Sequence, residues 1–414
     1  MNSGKVPSGP RKATFVFIFA TVLLDVLALG IIIPVLPKLV EGFAGGDASR
    51  GARVYGLFGT VWALMQFIFS PLLGALSDRF GRRPVILVSC FGLGLDYLLM
   101  AVAPTLAWLF VGRVLSGITA ASFSTAGAYI ADVTAPEKRA GAFGLLGAAW
   151  GIGFILGPAM GGLLGGISPR LPFWVAGGLS LANALYGVFV LPESLPRDRR
   201  SGFSWKRANP VGSLSLLRSH ATLLGLAAVN ALNQLAHQVF PSVFVLYASH
   251  RFGWSERMIG GMLSVVGVCN TVVQAGLVRP AVRWMGERSA LAVGLVFGAA
   301  GFATYGLART EWVFWLAVPV YALMGLFGPS LQGLMTRRVG ASEQGRLQGA
   351  NGSIMGMTGM LGPWLFTEVY ARGVASSGGG WLPGAPFVLA ALLLAVALPV
   401  AMVSTRVTSR AAAG

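Results

Sequence analysis

The chain is built from apolar runs of about 20 residues, the length a helix needs to cross the ~30 Å hydrocarbon core of a bilayer. Bounded by charged or Gly/Pro breaks, these runs cover 13–36, 54–76, 84–103, 106–130, 141–164, 171–191, 221–247, 258–278, 289–308, 312–335, 347–370 and 385–403. Lipid offers the backbone no hydrogen bonds, so only helices and closed barrels span it. Barrel strands would alternate apolar and polar residues, and these runs do not. The expected fold is an all-α membrane protein of twelve transmembrane helices. Charged residues make up 11% of the 414, against roughly 25% in soluble domains, so polar surface is too scarce to coat a soluble globule.

The formal net charge of +17 would suit nucleic acid, but its placement reads as a topology signal. Lys and Arg crowd the connections on the side of the N-terminus, among them Lys5, Arg11, Lys12, Arg79, Arg82, Arg83, Arg197, Arg283 and Arg337; fewer, such as Lys38, Arg170 and Arg309, fall on the other side. The positive-inside rule makes the first side cytoplasmic, with both termini there. Met1 to Lys12 leads into a full-length span, whereas a cleavable leader has a shorter apolar stretch. Cys90 and Cys269 both lie inside apolar runs, so neither a disulfide framework nor a thiolate metal site is expected.

The longest break, 192–220, is basic and falls near the middle. It reads as a cytoplasmic linker between a six-helix half at 1–191 and a second at 221–414. Gly81 and Gly286 are 205 residues apart, as are Gly157-Pro158 and Gly362-Pro363, and Glu137 and Glu343 are 206 apart. These coincident offsets point to a parallel duplication, the plan of transporters whose site lies between two halves.

Charge inside a membrane is expensive and marks function by default. Asp25 and Asp96 each lie 12 residues into their runs, ~18 Å from the cytoplasmic end at ~1.5 Å per residue. Arg113, on a run of opposite direction, reaches a similar level. Two carboxylates and a guanidinium are thus expected at one depth, with Gln66 able to join them. Burial favours the protonated acid and a nearby arginine favours the carboxylate; a group balanced between the two can load a proton on one side and release it on the other. Static roles remain as alternatives: Asp25 as a helix cap, Asp96 as a neutralising partner of Arg113. The seventh run carries Asn230, Asn233, Gln234, His237 and Gln238, a polar stripe that reads either as interhelical glue or as a cavity wall. His237 there is a second titratable group.

After the second run the chain reads Gly74-Ala75-Leu76-Ser77-Asp78-Arg79-Phe80-Gly81-Arg82-Arg83-Pro84. This resembles the signature loop of the major facilitator superfamily. The resemblance implies that Gly74, Asp78, Arg79, Gly81, Arg82 and Arg83 form a latch that stabilises the outward-facing state. Its second-half counterpart, around Arg283, Gly286 and Arg288, lacks the aspartate. Arg113 lies in Gly112-Arg113-Val114-Leu115-Ser116-Gly117, a second family motif. The fifth run carries Gly153, Gly157, Pro158, Gly161 and Gly162, a pattern similar to the antiporter motif of exporters. Within the superfamily the chain resembles the tetracycline-resistance efflux proteins along nearly its whole length, through Leu24-Asp25, Ala63-Leu64-Met65-Gln66, Asp96-Tyr97, Gly127-Ala128-Tyr129-Ile130-Ala131-Asp132, Leu191-Pro192-Glu193-Ser194 and Gly345-Arg346-Leu347-Gln348-Gly349.

The resemblance implies two pseudo-symmetric six-helix halves, proton-coupled efflux of a small amphipathic compound such as tetracycline, an inner-membrane location and a monomer. It implies no cofactor, resident metal or nucleic acid. No nucleophile–base set or phosphate loop points to an enzyme. The competing readings are a uniporter or importer of a metabolite, an exporter of another drug, and a membrane receptor without flux. Proton coupling is expected from Asp25, Asp96 and Arg113, and substrate contact from Gln66, Asn233, Gln234, His237, Gln238 and Asn270. The family carries a histidine in the eighth span and an aspartate in the ninth; alignment puts Asn270 and Gly298 there. Neither titrates, so coupling is expected to rest on the first half.

Overall fold

The computed structural model describes residues 11–119, 122–134, 139–200, 214–218, 221–340, 343–376 and 382–411. Most of the expected linker, together with Lys5, Glu137, Lys138, Lys206 and Arg207, lies outside the described residues. Among those described, regular structure is helical throughout. In chain order the helices are α1 (Arg11–Ile32), α2 (Leu36–Phe43), α3 (Ala48–Phe80), α4 (Arg82–Val102), α5 (Leu106–Thr119), α6 (Ser122–Val133), α7 (Arg139–Gly165), α8 (Leu171–Val190) and α9 (Ser215–Arg218). They continue as α10 (Ala221–His237), α11 (Val239–Phe252), α12 (Glu256–Val272), α13 (Val278–Leu307), α14 (Glu311–Ala322), α15 (Phe327–Thr336), α16 (Gln344–Ser376) and α17 (Ala385–Ala411).

Every apolar run read from the sequence is largely helical along its described residues; the first turns over 33–35, between α1 and α2. Among the described residues, eight helical stretches are long and apolar enough to cross a membrane on length and composition alone. Several runs are interrupted. The seventh breaks at Gln238, between α10 and α11. The eighth loosens into a π-turn at Val273–Leu277. The tenth tightens into a 3₁₀ turn at Leu323–Leu326. Such irregular turns inside a membrane helix expose carbonyls that only protein or water can satisfy. The boundaries have local causes. The Asp47 carboxylate accepts from the N–H groups of Ser49 (2.9 Å) and Arg50 (3.0 Å) and starts α3. Gly81 at φ 109° and Gly286 at φ 75° make the sharp turns on the N-terminal face.

Buried side chains of α10–α17 form one large cluster joined by Leu216, Leu217 and Ala52, while those of α1–α8 fall into two others. The two sets of helices meet toward the face opposite the N-terminus, here the far face. A Cβ on Gly260 would lie 2.2 Å from the Pro158 carbonyl oxygen, and one on Gly162 2.4 Å from that of Glu256, so α7 and α12 touch backbone to backbone. Gly56 and Gly59 of α3 likewise leave room for α16, Gly56 for the Thr367 side chain and the Pro363 carbonyl and Gly59 for the Pro363 ring. Hydroxyls fasten the seam: Ser264 donates to the Ile155 carbonyl (2.6 Å), Thr60 to Met360 (2.9 Å) and Tyr55 to Pro241 (2.9 Å). Ion pairs Lys38–Glu256 (3.2 Å) and Arg53–Glu368 (3.0 Å) close its outer edge. At the near face, the ion pairs among the described residues (Arg82–Asp78, Arg82–Asp132, Arg200–Glu193 and Arg337–Glu287) each stay within one set of helices. The bundle is sealed at the far face.

Gly260→Val pushes a branched side chain into the Pro158 carbonyl, at about 1–3 kcal/mol for overpacking. The expected outcome is a shift away from this sealed state. A cysteine placed at Ser264 should react faster with an impermeant maleimide from the far face in that variant; equal rates would mean that the glycine seam does not set the balance.

Candidate functional site

Asp25 is half-buried on α1. The Asn183 side-chain amide, on α8, donates to its Oδ1 at 3.3 Å and also to the Thr21 carbonyl at 3.3 Å. The Cys90 thiol of α4 lies 3.9 Å from both carboxylate oxygens. Asn183 is buried and gave no signal in the sequence beyond being a lone amide in an apolar run; its partners could not be read without the packing.

Asp96 is fully buried on α4, and neither carboxylate oxygen makes a hydrogen bond of full geometry; the Ser116 hydroxyl of α5 is the donor beside it. Gly112 makes its room: a Cβ there would sit 2.8 Å from Asp96 Oδ1. The charge and hydroxyl that act on it come from Arg113 and Ser116 of α5. Arg113 does not form an ion pair within 4 Å among the described residues; its guanidinium lies over the Trp62 ring, 5.3 Å from the centroid. Trp62, one turn before Gln66 on α3, is the aromatic the sequence could not single out from eleven tryptophans. A cation over an indole face gains roughly 0.5–2 kcal/mol, so Arg113 is held without neutralising Asp96.

One expectation needs correcting. Asp25 and Asp96 do not share one level. Asp25 sits against Cys90, six residues before Asp96 on α4, a separation of roughly 9 Å along that helix. Counting from chain breaks assumed that helices start in one plane; α1 and α4 are staggered. The acids remain close enough that Asp25, Asp96 and Arg113 all act electrostatically on Tyr97 between them.

The loop residues do come together. Gly81 carries the turn, and Arg82 reaches Asp78 (2.6 Å), Ser77 (2.6 Å) and Asp132 of α6 (3.1 Å). Glu193 accepts from the backbone N–H groups of Arg82 (2.8 Å) and Arg83 (3.3 Å), while the Arg83 guanidinium donates to the Val188 carbonyl. Arg79 packs over Phe80, and no heavy atom would meet a Cβ on Gly74 within 4 Å. Asp132 and Glu193, quoted above only for resemblance, are thus the carboxylates that anchor this loop. The fifth-span glycines pack α7 between two neighbours: Gly153 against Val26, Gly157 against Gly30, Gly161 against the Ile31 carbonyl, and Gly162 and Pro158 against α12. This is close backbone packing by small residues, the plainer of the motif's two readings.

In the second set of helices the polar stripe divides. Asn230 donates to Asn351 (3.1 Å), which acts as interhelical glue. Asn233 is buried with Oδ1 unpartnered. Gln234 is half-buried, and Gln238 stands at the helix break, packed on Gly362. His237, at the end of α10, keeps open surface, but its ring stacks on Tyr321 and meets Phe240, with Nδ1 2.7 Å from the Tyr321 hydroxyl. Asn270 and Gln66 are half-buried on α12 and α3. Gly298 is buried against Met324 and Leu394, each 2.8 Å from a Cβ there. A carboxylate at that position would meet the ends of these two side chains, which would have to move to admit it.

The sequence pattern of the Major Facilitator Superfamily matches residues 18–363. The tetracycline resistance protein of class C from Escherichia coli is 39% identical over 91% of this chain and 95% of its own length. The class B protein from the same organism is 36% identical over 90% and 93%. The human organic anion transporter MFSD10 (TETRAN) superposes with a TM-score of 0.70 at 24% identity, over 95% of this chain and 100% of its own. With its helical bundle, its glycine-turned loop and this match across most of its length, the chain belongs to the Major Facilitator Superfamily.

Proposed function

We propose that this protein is a proton-driven drug exporter that moves tetracyclines or closely similar amphipathic compounds out across the cell membrane. The observation that carries the reading is Asp96, a fully buried acid with no ion pair and no hydrogen bond of full geometry, in a bundle sealed at one face, in a chain whose relatives are tetracycline resistance proteins. A carboxylate at the centre of a membrane helix costs about 2.5–3.5 kcal/mol, and taking up a proton removes that cost. Substrate and proton then favour opposite states of the site, and their exclusion of one another is antiport.

In this reading the near face is cytoplasmic, as the arginines crowding it support. The protein works as a monomer, and the halves 1–191 and 221–414 rock about the central site. Asp25, held by Asn183 and Cys90, is the acid met first from the cytoplasm; Asp96 is the deeper one. Gln66, Asn233, Gln234, His237, Gln238 and Asn270 offer amide, imidazole and hydroxyl-linked contacts to substrate. The test is a drug panel in a susceptible host lacking its own exporters, with and without an uncoupler. Resistance that survives a collapsed proton gradient would favour a uniporter.

Asp96→Asn keeps shape and removes the charge. It should abolish drug-driven proton flux in everted vesicles while raising thermal stability of the purified protein; retained flux would end the carrier role of Asp96. Asn183→Leu should weaken coupling instead, because a hydrogen bond to a charged group contributes about 1.5–3 kcal/mol. Flux at the parent's level in that variant would leave Asn183 as packing alone.

A further inference from the structure

The segment that opens α13, from Val278 to the turn at Gly286, is amphipathic in a way the transport reading does not use. Its inner face, Val278, Ala281, Val282 and Met285, packs on Leu326 and Val293. Its outer face presents Arg279, Arg283 and Trp284, all exposed, with the tryptophan 86% open. Arg279 and Arg283 stand one helical turn apart, where like charges repel. The corresponding loop of the first half satisfies its arginine from within through Asp78 and Asp132, and Glu193 takes its backbone N–H groups. Here the neighbouring acid, Glu287, is engaged by Arg337. Among the described residues neither Arg279 nor Arg283 has a carboxylate in ion-pair range. A π-turn at Val273–Leu277 and the left-handed Gly286 bracket the segment, so it can shift as a unit.

We propose that Arg279, Arg283 and Trp284 form a binding site for the phosphate headgroup of an anionic phospholipid. The two guanidiniums take the phosphodiester oxygens. The indole lies at the depth tryptophan favours, between headgroup and acyl chain. The lipid supplies the negative charge that Asp78 supplies in the first loop, and it sits on the element that follows the π-turn of the eighth span.

Native mass spectrometry of the purified full chain, titrated with phosphatidylglycerol or with phosphatidylcholine of the same acyl chains, tests this. Phosphatidylglycerol adducts should dominate, and Arg279→Gln with Arg283→Gln should weaken them by about fivefold per arginine. Arg197→Gln, a charge loss equal to that of Arg283→Gln alone but elsewhere on that face, should leave them unchanged. Should the double variant fold poorly, Arg283→Gln and Trp284→Leu singly should each weaken adducts, and Arg279→Lys with Arg283→Lys should keep them. Equal retention of phosphatidylcholine, adducts untouched by the substitutions, or full displacement by millimolar inorganic phosphate would each overturn the proposal, the last by assigning the site to a free anion.

Discussion

The hydrocarbon core cannot hydrogen-bond, and the rest of this structure follows from that. Backbone groups pair within helices wherever lipid surrounds them. The helices depart from ideal form at Gln238, at Val273–Leu277 and at Leu323–Leu326, where neighbouring helices or the protein's own polar groups stand close by. His237 and Gln238 mark the first of these breaks, and Tyr321, which bonds His237, lies just before the third. Irregular backbone and polar side chains are thus one phenomenon, because each needs what lipid withholds.

The same constraint separates the two acids. Asp25 has an amide donor and a thiol beside it, so its charge is partly solvated by protein. Asp96 has an arginine and the Ser116 hydroxyl nearby but no hydrogen bond of full geometry, and that arginine is turned onto Trp62. A direct Asp96–Arg113 pair would fix both charges. In the proposed exchange, holding the guanidinium on an aromatic face leaves the carboxylate free to gain or lose a proton. The indole thus stabilises Arg113 without competing for the proton, as a second carboxylate would.

Much of this was legible in the sequence, and what escaped has a common cause. Apolar run lengths gave the spans, because hydrophobic thickness is a one-dimensional quantity. The loop residues from Gly74 to Arg83 were found because a tight turn and a charge pair are local. What depended on how helices slide against each other was not legible. The stagger of α1 on α4 placed Asp25 beside Cys90 instead of level with Asp96. Asn183, Trp62, Asp132 and Glu193 owe their positions to helices far off in the chain. Gly298 read as a missing charge, and only the packing shows that the Met324 and Leu394 side chains lie against it.

The strength of the far-face seam bears on whether one proton can move the bundle. Its hydrogen bonds from Ser264, Thr60 and Tyr55 go to carbonyl oxygens, at about 0.5–1.5 kcal/mol net for each. Its ion pairs are partly exposed, Arg53 by 51%, and such pairs contribute about 0–1 kcal/mol. Glycine contacts add dispersion but bury no charge. The seam therefore amounts to a few kcal/mol, and inverting a two-state population from 1:99 to 99:1 needs about 5.5 kcal/mol. Neutralising one buried carboxylate supplies about half of that. A seam of tightly desolvated ion pairs would exceed what a single proton can overcome; one made of hydroxyls, carbonyls and glycines stays within reach, provided that substrate supplies the remainder by leaving.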